Sequence, residues 1–185
     1  MLSLKKAGAP EAVSVSGAFY AIHTDFRYWL IFADMLKETH TANDFDFLYK
    51  DPPPPNRELG FLALFDFYVD RRELPRMKRH AESDTRRAVD YDLDAPLIYA
   101  AFMEVYGIDL LEARLHWHKF RALFEGLHGT RLNDVIGYRV YDENDKSDYK
   151  KMMMELREAW ELPEELTNAE KTAIADFDRK LAAGG

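Results

Sequence analysis

Two histidines separated by one residue, His116 and His118, flank Trp117 and are the side chains of this chain whose spacing comes closest to chemistry. On a β-strand that spacing puts both imidazoles on one face, as zinc sites require. On a helix it turns them about 200° apart. Phe120, Leu123, Phe124 and Leu127 follow at i, i+3, i+4 and i+7, so the surrounding pattern is helical. The pair is therefore read as two half-exposed helix histidines, and no acidic residue stands where it would complete a metal site.

Other chemistries fail on residue type or on spacing. Asp142-Glu143-Asn144-Asp145 with Asp148 has the acidic density of a calcium loop. Lys146 at the fifth position, Ser147 in place of the glycine and Met153 in place of the closing glutamate exclude calcium and leave an acidic turn that favours the start of the next helix. The serines, Ser3, Ser14, Ser16, Ser83 and Ser147, never sit in a Gly-x-Ser-x-Gly elbow, and the glycines never take a P-loop or dinucleotide spacing. Asp44 and Asp46, beside Phe45 and Phe47, read as the polar side of a turn or short helix. Met152-Met153-Met154 offers thioethers that suit varied apolar partners, although helical spacing places Met152 and Met153 in the core and Met154 off the stripe. No catalytic residue, cofactor-binding residue or metal ligand is assigned, no cofactor is expected, and enzymatic activity is not expected.

The composition points the same way. With 25 Lys and Arg against 33 Asp and Glu, the net charge of -8 opposes general binding to nucleic acid or anionic lipid. The absence of cysteine excludes disulfides and thiolate chemistry and fits the cytoplasm. The start, Met1-Leu2-Ser3-Leu4-Lys5-Lys6, gives way to Ala, Gly, Pro and Glu without the apolar stretch of a signal peptide, and no window reaches the roughly 20 apolar residues of a membrane span. A soluble protein with one domain over residues 1–185 is expected.

The elements that must position these residues are mostly helices. Alternation around Ser16-Gly17 predicts a hairpin over Val13 to Ile22. Asp25 caps an amphipathic helix carrying Phe26, Trp29, Leu30, Ala33 and Leu36. Pro52-Pro53-Pro54-Pro55 reads as a stiff spacer whose last proline starts the next helix, with a proline-recognition ligand as the alternative. From Leu59 to Val69 the chain is apolar around most of a helix, which implies burial on several sides or a covering partner. The segment 71–90 opens with a basic run, Arg71 to Arg87, that lacks apolar periodicity and reads as a flexible linker; a nucleic-acid or acidic-partner patch is the alternative, without aromatic residues to stack bases. Helices are then expected from Asp94, as the cap with Pro96 in the first turn, to Gly107 and from about Leu111 to Leu127. A short one follows, opened by Thr130 with Asn133, and another runs from Tyr149 to Trp160 before Pro163. The capping box of Thr167 with Glu170 opens a loosely attached last helix over 167–185. The fold class is mainly α: an orthogonal domain of about six to seven helices with a short N-terminal β-hairpin.

The residues from Asp94 to Arg139 also carry a family likeness. Leu97-Ile98-Tyr99-Ala100-Ala101-Phe102, Tyr106-Gly107-Ile108-Asp109-Leu110, Leu115 through Leu123 and Ile136-Gly137-Tyr138-Arg139, with Asp25-Phe26-Arg27-Tyr28-Trp29 upstream, resemble the tail assembly chaperones of long-tailed phages and prophages of Gram-positive bacteria. The likeness spans residues 13–162. It implies a helper protein in the bacterial cytoplasm that binds the long, helical tape measure protein, keeps it soluble while tube subunits polymerise around it, and is absent from the mature virion. Tail tube subunits and a second copy of the chain are further partners left open, and the resemblance assigns no partner-binding residue. Two rivals stand beside it: a virion component such as a head-tail connector or tail completion protein, and a helical enzyme using His116 or His118 with a metal.

Overall fold

The hairpin comes first in the computed structural model, which describes residues 4–5, 7–70, 87–142 and 148–163. Strands β1 (Ala12–Val15) and β2 (Ala18–Ala21) pair antiparallel, Val13 opposite Tyr20 and Val15 opposite Ala18. Ser16 and Gly17 both take positive φ, 53° and 85°, the backbone of the primed turn whose twist matches that of the strands it joins. Val13 and Val15 face inward and Phe19 points to solvent, so the alternation seen in the sequence sorts the two faces.

Among the described residues six α-helices and one 3₁₀-helix follow: α1 (Phe26–Met35), the 3₁₀-helix (Ala42–Leu48), α2 (Arg57–Val69), α3 (Ala95–Tyr106), α4 (Trp117–Glu125), α5 (Arg131–Arg139) and α6 (Lys150–Trp160). The expected class, mainly helical with one N-terminal hairpin, is the one observed. Several caps lie where side-chain chemistry predicts them. The Asp25 carboxylate accepts from the Arg27 N–H at 3.1 Å, and Thr130 and Asn133 form a capping box at the head of α5.

The core is a stack of rings. Trp29 and Phe32 of α1, Trp117 and Phe120 of α4 and Phe102 of α3 are each at most 2% exposed. The Trp29 ring lies 4.5 Å from Phe67, 5.5 Å from Phe32 and 6.4 Å from Trp117, and Phe120 stacks on Phe26 at 4.6 Å and on Phe102 at 5.3 Å. Both buried indoles satisfy their N–H on backbone carbonyls, Trp29 on His23 at 2.9 Å and Trp117 on Tyr68 at 3.0 Å. Ring packing and polar satisfaction thus agree on one arrangement of α1, α2 and α4.

Four expectations are corrected or refined. The helix expected from Leu111 begins six residues later, at Trp117, because the carbonyls that would start it are taken. Arg27 reaches across from α1 and donates to the carbonyls of Leu110, Leu111 and Ala113 at 2.7, 3.2 and 3.1 Å. The backbone of Phe26 donates to Leu115 and that of Trp117 to Thr24, so the chain at His116 runs extended beside Asp25 at the entry to α1. The second correction concerns the prolines: α2 opens on Asn56, whose side chain accepts from the Leu59 N–H at 3.0 Å, and Pro55 stays outside the helix. Pro54 is fully buried, and a Cβ on Gly60 would stand 2.7 Å from its Cγ.

Third, α2 is buried on several sides as expected, with Phe61, Ala63, Phe65 and Tyr68 packed against the core beside its fully buried residues, but it keeps one strip open. Gly60, Leu64 and Phe67 face the core while Leu59 and Leu62 are 42% and 55% exposed. Fourth, Asp94 heads α3 without capping it through its side chain. Its carboxylate is taken by Arg139, at 2.6 and 2.8 Å, and by the Asp90 N–H at 2.9 Å. Arg139 also donates to the carbonyls of Trp160 and Ala88, at 2.7 and 3.1 Å, so one buried guanidinium ties together α3, α5, the end of α6 and the chain before α3. Of the expected 71–90 linker, residues 71–86 lie outside the described residues, as does the helix expected from Thr167; Val89 packs against the core.

Candidate functional site

His116 is not inside a helix but at the head of one. Its backbone is extended, its Nδ1 accepts from the His118 N–H at 3.1 Å, and its Nε2 lies 2.9 Å from the Pro10 carbonyl oxygen. The hydrogen bonds assign the neutral tautomer with the proton on Nε2, which donates to Pro10. His118, one residue into α4, is fully buried, stacks on Phe67 at 4.3 Å and reaches the Phe67 carbonyl with Nε2 at 2.9 Å. The expected pair of half-exposed helix histidines is therefore replaced by a cap and a core residue, with ring centroids 5.1 Å apart. The reason is the late start of α4, which brings His116 out of the helix and turns His118 inward.

Burial holds both imidazoles below the usual histidine range, against the opposing pull of the Pro10 carbonyl on His116 and the Phe67 carbonyl on His118. Each ring joins two chain segments: His116 holds the N-terminal arm at Pro10, and His118 holds the end of α2. Among the described residues no group of three or more His, Asp or Glu could hold a metal ion.

The acidic positions weighed in the sequence do not converge. Asp44 accepts from both the backbone N–H and the hydroxyl of Thr41, at 2.7 and 2.9 Å, and those bonds hold its carboxyl below the usual range. Asp46 receives Arg57 Nε at 2.9 Å. The two carboxylates belong to separate contacts on the 3₁₀-helix, as expected of a short polar element. Of the acidic turn, Asp142 and Asp148 are exposed and residues 143–147 lie outside the described residues. Helix α6 opens on Tyr149 with no acidic residue in its first turn. Ser14 and Ser16 sit on the hairpin, and Ser3, Ser83 and Ser147 lie outside the described residues.

The methionines depart from the pattern read in the sequence. Met152 is 50% exposed while Met153 and Met154 are half-buried, and α6 buries no residue fully. The helix is rotated so that Met153, Leu156, Arg157 and Trp160 lie inward, with Arg131 placed 5.1 Å from the Trp160 ring and the Trp160 carbonyl on Arg139. Met153, Leu156 and Trp160 thus lie on the inner face that helical spacing predicts, and the departures are at Met152, which is exposed, and Met154, which is half-buried.

One open pocket of about 390 Å³ has aromatic walls. It is lined by Tyr68 and Val69 at the end of α2, by Tyr91, and by Trp117 and Phe124 of α4, with Arg121 and Glu125 paired at its edge at 3.2 Å. Burial pushes the Tyr91 hydroxyl up to about 12, so it stays protonated and acts only as a neutral hydrogen-bonding group. Arg121 is spent on the carbonyls of Tyr68 and Val69, at 2.8 and 2.7 Å, closing the C-terminal end of α2. The pocket therefore has mostly aromatic walls and one charged edge, the Arg121–Glu125 pair. No described helix is long and apolar enough to cross a membrane.

A helical domain in which His116 and His118 are committed to backbone contacts and the surface is studded with apolar side chains is the context in which the family comparison enters, and it places the chain among bacteriophage proteins. The matching family model is that of the bacteriophage Gp15 protein, it covers residues 8–162, and the chain belongs to that family. No curated protein and no solved structure matches it.

Proposed function

We propose that this phage protein is a tail assembly chaperone, which binds the tape measure protein and keeps it soluble while the tail tube forms. The observation that supports the reading is the apolar exposure on ordered elements: Ile31 on α1 at 52%, Leu62 on α2 at 55% and Met152 on α6 at 50%. A long amphipathic helix aggregates unless its apolar faces are covered, and a folded surface carrying its own apolar side chains is what such a helix needs. Membership of a phage family supplies the setting.

Co-expression of this chain with the long coiled-coil protein encoded just downstream tests the reading. The expected result is that the long protein moves from pellet to supernatant and co-purifies with this chain. Equal aggregation with and without it overturns the reading, and recovery of this chain in purified virions would favour a head-tail connector or tail completion role instead.

A further inference from the structure

A second cleft, of about 370 Å³, lies on the side of His116 that faces solvent. The N-terminal arm at Gly8, Ala9 and Glu11, the turn His23–Asp25, Lys50, and the approach to α4 at Arg114, His116 and Lys119 form its walls. Lys50, Arg114 and Lys119 are all exposed, and none makes an ion pair with a described residue. Asp25 is neutralised by Arg27 at 2.9 Å, which leaves Glu11 as the one lining carboxylate facing three free cations. The amides at the head of α4 are already used, by Thr24, His116 Nδ1 and the His116 carbonyl, so side chains alone give the cleft its charge. In a chain of net charge -8, a pocket with a local positive excess is a local reversal of sign.

The cleft continues onto an apolar strip. His23, one of its walls, stacks flat on Tyr28 with centroids 4.5 Å apart, and Tyr28 stacks on Phe47 at 6.4 Å. Ile31 follows Tyr28 at i+3 on the same side of α1, and both Ile31 and Phe47 are exposed, at 52% and 37%. The two ring steps together cover about two turns of a helix laid across them.

We propose that cleft and strip form one docking surface for an amphipathic helical segment whose apolar stripe is flanked by Asp and Glu. Tyr28, Ile31 and Phe47 take the apolar side chains, and Lys50, Arg114 and Lys119 take the carboxylates. Among the described residues the cleft gathers three cations and no longer array that could track a phosphate backbone, so an acidic protein segment suits it better than a nucleic acid. The proposal names the partner chemistry for the chaperone reading and rests on that reading only for the identity of the partner.

The test is fluorescence anisotropy of the full chain with a labelled peptide of about four helical turns, carrying Leu at i, i+3, i+4 and i+7 and Glu on both flanks. A twin peptide has Lys in place of every Glu. The acidic peptide is expected to bind at least about tenfold more tightly than its twin, and the triple variant Lys50→Glu, Arg114→Glu, Lys119→Glu is expected to reverse that preference. Equal binding of the two peptides, or of the acidic peptide to wild type and triple variant, overturns the proposal. So does displacement of the peptide by a single-stranded oligonucleotide of equal charge. The peptide comparison on the unmodified chain stands even if the triple variant misfolds. A peptide result as expected beside a failed co-expression would sink the chaperone reading and keep the surface; the opposite pair of results would do the reverse.

Discussion

The centre of this protein and its α5–α6 end are held together by different physics. Around Trp29 and Trp117 the chain is joined by ring against ring, with each indole N–H satisfied on a carbonyl. At the other end one guanidinium, Arg139, carries bonds to Asp94, Ala88 and Trp160, and α6 has no fully buried residue. Area-driven packing is spread over many contacts and degrades gradually, whereas a buried ion pair fails all at once when either partner is removed. The centre is a frame, and the α5–α6 end is a latch.

The largest effect expected from that contrast is at the frame. Trp29→Ala should cost about 3–5 kcal/mol, enough to lower the melting temperature by roughly 10 °C, read by circular dichroism. A loss under about 1 kcal/mol would mean that the rings around Trp29 do not carry the fold. At the latch, Arg139→Met should cost about 3 kcal/mol by leaving Asp94 charged and buried, and hydrogen exchange should speed up along α6 while α1 stays protected. Adding Asp94→Leu should restore part of the lost stability, and uniform exchange across both helices would abolish the distinction between the two regions.

A smaller effect sharpens how tightly the frame is packed. In Gly60→Ala the new Cβ meets Pro54 Cγ at 2.7 Å and Tyr49 Oη at 3.0 Å, so a loss of about 1–3 kcal/mol is expected; a neutral melt would show that the tetraproline segment yields. The smallest is the pH response of the frame. Burial lowers the proton affinity of His116 and His118 below the ordinary 6.5, so the unfolded chain takes up protons that the folded chain refuses. Stability is therefore complete above that value and is lost as pH falls through it, with a slope of at most about 1.4 kcal/mol per pH unit for each histidine. Melting temperature should fall from about pH 7.5 to 5.5, and His118→Gln should flatten the slope by about half. An unchanged slope in that variant would take His118 out of the account.

What could be read from the sequence was what local chemistry decides. The turn Ser16-Gly17, the Asp25 cap, the box of Thr130 with Asn133 and the apolar spacing of α1 each need only neighbouring residues, and each is found in place. The late start of α4 is settled by Arg27, which lies 83 to 86 residues from the carbonyls it holds, and no local pattern carries that information. On α6 the apolar spacing marks Met153, Leu156 and Trp160 as inward, and what no local pattern shows is that Arg131 and Arg139 hold Trp160 from another helix. A lone arginine closing the apolar run Val135-Ile136-Gly137-Tyr138-Arg139 was the available sign of a buried partner. Lys50, Arg114 and Lys119 had no such sign, since only the fold brings them to one cleft.

The clasp between the entry to α1 and the approach to α4 also sets a timetable for synthesis. Arg27 and Phe26 emerge from a ribosome long before Leu110 to Leu115, the carbonyls they bind, and Trp29 before the indole it faces. At about 5–20 residues per second the wait is roughly 5–15 s. During that interval the hairpin, α1 and α2 present their aromatic faces to whatever is nearby, so a protein with these surfaces begins life in need of the same protection from aggregation that a chaperone provides.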